Sequence, residues 1–390
     1  MKLRILILGG GSGDVGRDLT RILVRNNSAI EKITVTSTKT EVAQKFVQEL
    51  NDPRVSSLQL NVMDNEKLLA AFEKQDLIVN TIGPFVTYGI PVMKAAIKSR
   101  VNYIDICDDI EPTLEAIQLD AFAKDAGIFL LLSMGWFPGM SNLHAKSLAD
   151  QMDDVEEIVT AWVTGRKSPE KVPSKGLGGI EHFYKAQTGK ILSFRQGRRC
   201  QIPAHQPGVT LPFIEPLGPY QCYQIEHPET ATLPYIIPGV KTATNLGSLY
   251  PKQRNRASRL TTRLIDLKLI SLTLATTLNG MSMQSKKKVN LPQLNASYIA
   301  CIGTKDGKKG QLSYSEVNQA VTCAEATSQP LACAVYYIAS SGTIAPGVHL
   351  PETALKLEDI LALGRQYRLP FVTEAKHQTQ WSDTWISPAK

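Results

Sequence analysis

The chain has 390 residues, of which 43% are hydrophobic and 20% are charged, and its formal net charge is +7. This length allows two or three domains with sizeable cores. The basic residues are scattered, and their main clusters, residues 195–199 and 286–288, are short. We therefore expect a mild preference for anions and no nucleic-acid partner.

The cysteines argue against a metal-binding protein, and the longest apolar segment argues against an integral membrane protein. Six cysteines stand singly without a metal-ligand spacing, so we expect reduced thiols and no metal site. Leu260–Leu278 contains Arg263, Asp266 and Lys268, which predicts a packed helix rather than an integral membrane segment. A peripheral membrane contact by its leucine-rich face is an alternative. Met1 leads almost directly into the first strand and leaves no room for a secretory signal, so we expect a cytoplasmic protein.

The N-terminal segment predicts a pyrophosphate site. Leu3–Leu8 is typical of a buried strand and leads directly into a glycine cluster. The cluster fits G-x-G-x-x-G through Gly11, Gly13 and Gly16, and it fits G-x-x-G-x-x-G equally well from Gly10. A helix that begins here directs unpaired N–H groups and the positive end of its dipole toward an anion. The predicted cofactor contacts are Gly10, Gly11, Ser12, Gly13, Asp14, Val15 and Gly16.

The end of the second predicted strand favours NADP(H) over NAD(H). NAD sites carry an acidic residue about twenty residues after the glycines, where it binds the ribose 2′-hydroxyl. Here the strand Ile33–Ser37 is followed by Thr38 and Lys39, so hydroxyls and a cation stand where a carboxylate is expected. We predict that Ser37, Thr38 and Lys39 contact a 2′-phosphate. A solvated side chain is the alternative for Lys39.

Strand and helix patterns alternate up to about residue 134 and predict a Rossmann-type, doubly wound parallel sheet. The further predicted elements are a helix at 43–50, a strand at 58–62, a helix at 68–72, a strand at 76–82, a helix with Pro91 in its first turn, a strand at 101–106, a helix at 112–126 and a strand at 128–132. Residues 1–134 are thus the predicted NAD(P)-binding domain. We expect helices at about 345–375 to pack back on it.

The pattern changes beyond Gly135. Short β-like runs separated by glycine and proline turns predict a second, α+β domain on a mixed or antiparallel sheet over residues 135–344. Its predicted elements are strands at 155–163, 191–194 and 220–225, a helix at 256–281, a hairpin at 297–322 and a helix at 331–340. We expect this domain to bind a small-molecule substrate and to form a homodimer.

Several segments carry a family resemblance. They are Val79–Phe85, Tyr103–Asp105, Gly135–Met140, Thr188–Gly197 and His227–Pro234. Together with the glycine cluster they resemble the saccharopine dehydrogenase-like oxidoreductases over residues 1 to about 365. The resemblance implies NAD(P)H-dependent hydride transfer, commonly at a C–N bond of an amino acid. Phe137 stands where saccharopine-forming relatives often have an aspartate, which argues against saccharopine itself as the substrate.

The first domain offers candidate residues at the carboxyl ends of its strands, where ligands bind in open α/β sheets. We predict that Gly83, Pro84 and Phe85 line the nicotinamide, and that Asn80 and Thr81 bind ribose or carboxamide. A buried asparagine satisfied by the backbone is the alternative for Asn80. Further predictions are a proton-relaying Asp105 and substrate contacts from Tyr88 and Asp108.

The second domain offers the predicted proton donor. His227 is the first choice because imidazole titrates near neutrality, and a histidine that caps the Pro228 turn is the alternative. Arg195 is predicted to bind a substrate carboxylate, with a charged hairpin as its alternative. Further candidates are His182 and Glu229 for the substrate and Tyr223 for catalysis.

Three functions remain open from the sequence. The first is an NADP(H)-dependent enzyme that reduces an imine or oxidises an amine of an amino-acid-like substrate. The second is an enoyl or carbonyl reductase for a hydrophobic or carrier-bound chain, which the leucine-rich helix favours. The third is an NADP(H)-binding sensor or scaffold without turnover.

Overall fold

The computed structural model describes residues 2–26, 29–165, 178–284, 293–340 and 342–388. The chain divides into two compact units. Unit 1 consists of Met1–Met140 and Ala324–Thr373, and unit 2 consists of Ser141–Cys323 and Glu374–Lys390.

Unit 1 contains a parallel sheet of seven strands within the described residues. The strands are β1 (Leu3–Leu8), β2 (Ile30–Ser37), β3 (Val55–Gln59), β4 (Leu77–Asn80), β5 (Asn102–Asp105), β6 (Phe129–Leu131) and β15 (Gly347–His349). Their order is β15-β6-β5-β4-β1-β2-β3, which contains the doubly wound order 3-2-1-4-5-6. In the central strands, residues 5–8 of β1 and all four residues of β4 are fully buried, as expected when both faces of a sheet are covered. The predicted Rossmann-type fold is confirmed.

Several helices of unit 1 bury an apolar face. In α1, for example, Leu19 and Leu23 are fully buried. By contrast, the helix Cys323–Ala339 is buried at every position from Ser328 to Tyr336. The helices are α1 (Asp14–Asn26), α2 (Thr40–Leu50), α3 (Asn65–Phe72), α4 (Phe85–Ser99), α5 (Ile110–Ile117), α6 (Asp120–Ala126), α12 (Cys323–Ala339), α13 (Pro351–Ala354), α14 (Leu357–Gln366) and α15 (Pro370–Thr373).

Unit 2 contains a mixed sheet of nine strands within the described residues. The strands are β7 (Asp154–Gly165), β8 (Lys190–Arg195), β9 (Arg198–Pro203), β10 (Val209–Pro212), β11 (Pro219–Gln224), β12 (Thr242–Leu249), β13 (Leu294–Lys305), β14 (Lys308–Asn318) and β16 (Lys376–Ser382). The main order is β10-β11-β12-β7-β13-β14-β16, and only β12 and β7 pair in parallel along it. The helices are α7 (Met140–Ala149), α8 (Gly178–Lys185), α9 (Glu229–Ile236), α10 (Gln253–Asp266) and α11 (Leu272–Gln284). The predicted α+β class of this second part is confirmed.

Three predicted helices differ from the observed ones. The helix predicted over 112–126 is two helices, because tight turns from Gln118 N–H to Glu115 and from Leu119 N–H to Ala116 end α5. The helix predicted over 256–281 is also two, with Lys268 in the left-handed region between them. Pro91 lies inside α4 rather than in its first turn, since that helix begins directly after Pro84.

Candidate active site

The glycine cluster forms a tight turn between β1 and α1. The N–H of Gly9 donates to Thr36 Oγ1 at 3.1 Å, and the N–H of Gly11 donates to the Thr36 carbonyl at 3.0 Å. The N–H groups of Gly10, Ser12 and Gly13 are also bonded within the turn. These N–H groups are thus already bonded. A helix has no internal partners for the N–H groups of its first turn, and in α1 that turn begins at Asp14.

The glycines of the cluster have different surroundings. A Cβ atom on Gly16 would lie 2.7 Å from Thr81 Oγ1 and 2.8 Å from Gly10 Cα. A Cβ on Gly10 or Gly11 would also lie under 3.0 Å from a neighbouring atom. On Gly13 it would meet only the Gly9 carbonyl oxygen, at 3.2 Å. The crowded glycines allow close packing of strand and helix, whereas Gly13 leaves room for a ligand to approach the backbone.

The end of β2 presents a hydroxyl and a cation to solvent. Thr38 and Lys39 are exposed, and Lys39 occupies the N-cap position of α2 without a capping bond from its side chain. Ser37 is buried, and its Oγ accepts the Lys39 N–H at 3.1 Å. Thr38 and Lys39 are thus the accessible members of the predicted trio. The residues fit a cofactor that carries an anionic group on its ribose.

The loop after β4 contacts the glycine cluster. Thr81 donates its hydroxyl to the Leu8 carbonyl at 2.7 Å and lies beside Gly16. Gly83 and Pro84 are exposed, whereas Phe85 is buried at the start of α4 and Tyr88 is partly buried. Of the residues predicted to line the nicotinamide, Gly83 and Pro84 are therefore the accessible ones.

Asp105 is the centre of a buried network at the ends of β4, β5 and β6. Its Oδ1 accepts the N–H groups of Ser133 at 2.7 Å and Cys107 at 3.0 Å. Its Oδ2 accepts the Tyr103 hydroxyl at 2.9 Å, and that hydroxyl accepts Asn80 Nδ2–H at 3.0 Å. Burial raises the pKa of Asp105 to about 6. Through these contacts Asp105 and Asn80 connect the ends of the strands. Asp105 has no solvent-exposed surface.

Unit 2 contains a buried chain of three side chains around His227. His227 Nδ1 and Glu229 Oε2 are 2.6 Å apart, and Ser141 Oγ donates to Glu229 Oε1 at 2.7 Å. Glu229 is 1% exposed and His227 is 4% exposed. The carboxylate fixes the Nδ1–H form of the imidazole, so Nε2 is the nitrogen that can exchange a proton.

The other candidates of unit 2 lie in different surroundings. His182, on α8, has its ring centroid 6.0 Å from that of His227. Tyr223 donates its hydroxyl to Gln221 at 2.9 Å, with Arg259 over its ring. Arg195 lies opposite Arg198 in the register of the β8–β9 hairpin. Among these candidates of unit 2, His182 and His227 are the pair whose rings lie close together.

Sequence reasoning missed Ser141 and Tyr103. Ser141 is separated from Glu229 by 88 positions, and no local pattern connects them. Tyr103 was visible only as part of an apolar strand, although its hydroxyl bonds both Asn80 and Asp105. Asp108 is partly buried on the loop that follows β5.

No helix in the described part of the chain is long and apolar enough to cross a membrane.

Comparison with known proteins identifies part of unit 1. Residues 5–131 match the family model described as the saccharopine dehydrogenase NADP binding domain. This part of the chain is therefore similar to the NADP-binding domain of saccharopine dehydrogenases. The predicted preference for NADP(H) and the predicted resemblance to that family are confirmed.

Curated relatives match less than half of this chain. The mitochondrial alpha-aminoadipic semialdehyde synthase of Mus musculus is 30% identical over 173 residues, which is 43% of this chain and 17% of the synthase. The saccharopine dehydrogenase-like oxidoreductase of Mus musculus is 29% identical over 42% of each chain. The NADP(+)-dependent, L-glutamate-forming saccharopine dehydrogenase of Pyricularia oryzae is 33% identical over 35% of this chain and 28% of that enzyme. This chain therefore spans less than half the length of each of these relatives.

A solved structure is similar over nearly the whole chain. Apo saccharopine dehydrogenase (L-Glu forming) from Saccharomyces cerevisiae superposes with a TM-score of 0.68 at 16% identity, covering 97% of this chain and 100% of that one. At this identity the similarity concerns the fold alone.

Proposed function

We propose that this chain, whose first unit carries a saccharopine dehydrogenase-type NADP-binding domain, is an NADP(H)-dependent oxidoreductase acting on the C–N bond of an amino-acid-like substrate. The observation that carries the proposal is the buried His227–Glu229–Ser141 chain of unit 2. A histidine held by a buried carboxylate is suited to general acid–base catalysis. Hydride transfer at a C–N bond needs such a group, because a proton moves along with the hydride.

The cofactor would be held by residues of unit 1. The first turn of α1 would bind the pyrophosphate, with Gly13 allowing close approach. Thr38 and Lys39 would bind the 2′-phosphate, Lys39 by its charge. When bound, NADPH supplies the hydride.

The proton would pass through His227. In imine reduction the carbon of the C=N bond receives the hydride and the nitrogen receives a proton from His227 Nε2. Glu229, bonded to Nδ1 at 2.6 Å, offsets the positive charge of the imidazolium before the proton leaves. Amine oxidation runs the same steps in reverse, with His227 accepting the proton.

Fluorescence titration with NADPH and NADH tests the cofactor part. We expect NADPH to bind more tightly than NADH, binding of both to be lost in Gly13→Asp, and the preference to move toward NADH in Lys39→Glu. Lys45→Glu is the matched control, because it places the same charge change on an exposed residue of α2. An equal change of preference in both lysine variants would contradict the assignment of Lys39.

Oxidation of NADPH in the presence of imines, enoyl compounds and carbonyl compounds tests the reaction. Turnover with imines of amino or keto acids supports the proposal, and turnover with enoyl or carbonyl compounds alone supports the reductase alternative. Cofactor binding without turnover across these sets supports a sensor or scaffold. Arg195→Gln, with Arg198→Gln as its control, tests whether Arg195 binds the substrate carboxylate. We expect a raised KM in the first variant only.

A cytoplasmic location and a homodimer belong to the same proposal. Sedimentation velocity of the purified chain tests the dimer, and cell fractionation tests the location.

A further inference from the structure

Helices α10 and α11 of unit 2 bury small or polar residues rather than large apolar ones. The buried residues of α10 are small and polar, namely Asn255, Ser258 and Thr262. In α11, Ala275 and Thr276 are buried. A helix that packs on a core normally buries its apolar face and exposes its polar face. Here none of the buried positions that the structure describes holds a large apolar side chain, and several large apolar side chains of the pair are exposed.

These outward side chains form a surface that we call the leucine surface. Six large apolar residues of this helix pair and its connection are 46–68% exposed. They are Leu260, Leu267, Leu269, Leu274, Leu278 and Met281. Single exposed leucines are common on proteins, but a group of them within one helix pair marks a contact site.

The most exposed members lie on the connection between the two helices. Leu267 is 68% exposed and Leu269 is 67% exposed, with Lys268 between them. Leucines at an exposed connection can enter an apolar layer while the lysine extends its ammonium group toward a polar boundary.

The charges on the helix pair are mainly positive. Arg256, Arg263 and Lys268 are exposed, and the structure gives none of them an ion pair with a described residue. The one carboxylate of the two helices, Asp266, is engaged. Its Oδ1 accepts the Gly189 N–H at 2.8 Å, and its Oδ2 lies 2.7 Å from His205 Nε2.

We propose that the leucine surface binds the surface of a membrane that contains anionic phospholipids. Leucines flanked by cations match the apolar layer and the negative headgroups of such a membrane. A second copy of the chain is disfavoured as the occupant, because a twofold contact through this surface would place cations opposite cations. The proposal concerns a surface of unit 2 and does not depend on the proposed reaction.

Co-sedimentation of the full chain with lipid vesicles tests the proposal. One set of vesicles is pure phosphatidylcholine, and the other contains about one third phosphatidylglycerol. We expect binding to the anionic vesicles, weaker binding to the neutral ones, and a decrease with added salt. The double variant Leu267→Gln/Leu269→Gln should bind at least about tenfold more weakly, because two leucines no longer leave water.

Two matched variants make the test specific. Met63→Gln/Phe122→Gln changes residues of unit 1 that are 54% and 61% exposed, and it should bind vesicles as the wild type does. Arg263→Gln/Lys268→Gln should lose the preference for anionic vesicles. Circular dichroism and thermal denaturation of each variant check that the chain is folded.

Three outcomes would overturn the proposal. The first is no binding of the wild-type chain to either vesicle, and the second is equal binding to both. The third is a halved molar mass by light scattering in Leu267→Gln/Leu269→Gln with unchanged vesicle binding, which would identify the leucine surface as an interface between two copies.

Discussion

At the scale of single residues, Asp105 shows how a buried carboxylate can hold a sheet edge together. It accepts the N–H groups of Ser133 and Cys107, and all three residues are buried. We expect Asp105→Ala to lower the free energy of unfolding by about 2–5 kcal/mol, since two buried donors lose their acceptor. Urea denaturation measures this change. Asp125→Ala, at an exposed acid of the same unit, should change it by no more than about 0.5 kcal/mol.

The same residue predicts a pH dependence of stability. Burial raises the pKa of Asp105 from 3.8 to about 6 in the folded chain, so the folded state favours the protonated carboxyl. The stability that this group contributes is complete below its ordinary pKa and is lost as the pH rises through about 6. The stability of the wild type relative to Asp105→Asn should therefore fall by at most about 3 kcal/mol between about pH 4 and about pH 7. A constant difference across that range, measured by urea denaturation, would contradict the prediction.

We predict that substitution of Glu229 reduces turnover without weakening cofactor binding. Its carboxylate orients His227 and offsets the charge of the imidazolium. In Glu229→Gln the charge is removed while the size is kept, and we expect kcat to fall by about 100-fold with an unchanged NADPH dissociation constant. Steady-state kinetics and fluorescence titration measure the two quantities. Glu181→Gln, at an exposed glutamate of α8, should leave both unchanged. Equal turnover in the two variants would remove Glu229 from the proposed mechanism.

At the scale of elements, glycines in the turn between β1 and α1 have two roles. Gly16 allows close packing of strand and helix, and Gly13 allows a ligand to approach the backbone. In Gly16→Ala the added methyl group would lie 2.8 Å from Gly10 Cα, a backbone atom that cannot move without shifting the turn. We expect this variant to lose about 1–3 kcal/mol of stability through overpacking. A methyl group on Gly13 would meet only the Gly9 carbonyl oxygen, at 3.2 Å, so Gly13→Ala should lose less stability than Gly16→Ala. It should bind NADPH at least about tenfold more weakly, because the methyl group would stand where the cofactor approaches the backbone.

Thermal denaturation and NADPH titration together test these two roles. Gly179→Ala is the control, since a Cβ there meets no atom within 4 Å. If Gly13→Ala lowered the melting temperature as much as Gly16→Ala, the proposed division between packing and ligand approach would be wrong.

The elements also show which features the sequence could predict. The strands β1 and β4 were predictable because fully buried parallel strands are continuous apolar runs. The breaks at Gln118 and Lys268 were not, since neither glycine nor proline marks them. The exposure of the leucines of α10 and α11 was left open, because an apolar stripe of helical period does not say whether it faces the core or a partner.

The same limit applies to the candidate site. The glycine cluster and the residues after β2 are local in sequence, and they were sufficient to predict the cofactor. The contact of Ser141 with Glu229 spans 88 positions and depends on how the chain packs. Imidazole chemistry singled out His227, but its carboxylate partner became clear only from the 2.6 Å contact.

At the scale of the whole molecule, unit 1 is assembled from two distant parts of the chain. The family match ends at residue 131, yet residues 324–373 belong to the same compact unit. From this second part, α12 contributes fully buried side chains that include Leu331 and Tyr336, and the Tyr336 hydroxyl donates to the Ile22 carbonyl at 2.9 Å. In addition, β15 extends the sheet by pairing with β6.

This arrangement predicts the result of truncation. A chain that ends at Met140 lacks α12 and β15, so apolar surface that is buried in unit 1 would face water. We expect it to melt without a cooperative transition and to bind NADPH weakly. Joining residues 324–373 to Met140 through a glycine-rich linker should restore both cooperative melting and cofactor binding, as measured by circular dichroism and fluorescence titration. If the first 140 residues alone melted cooperatively and bound NADPH like the full chain, the distant segment would be a covering of the domain rather than part of its core.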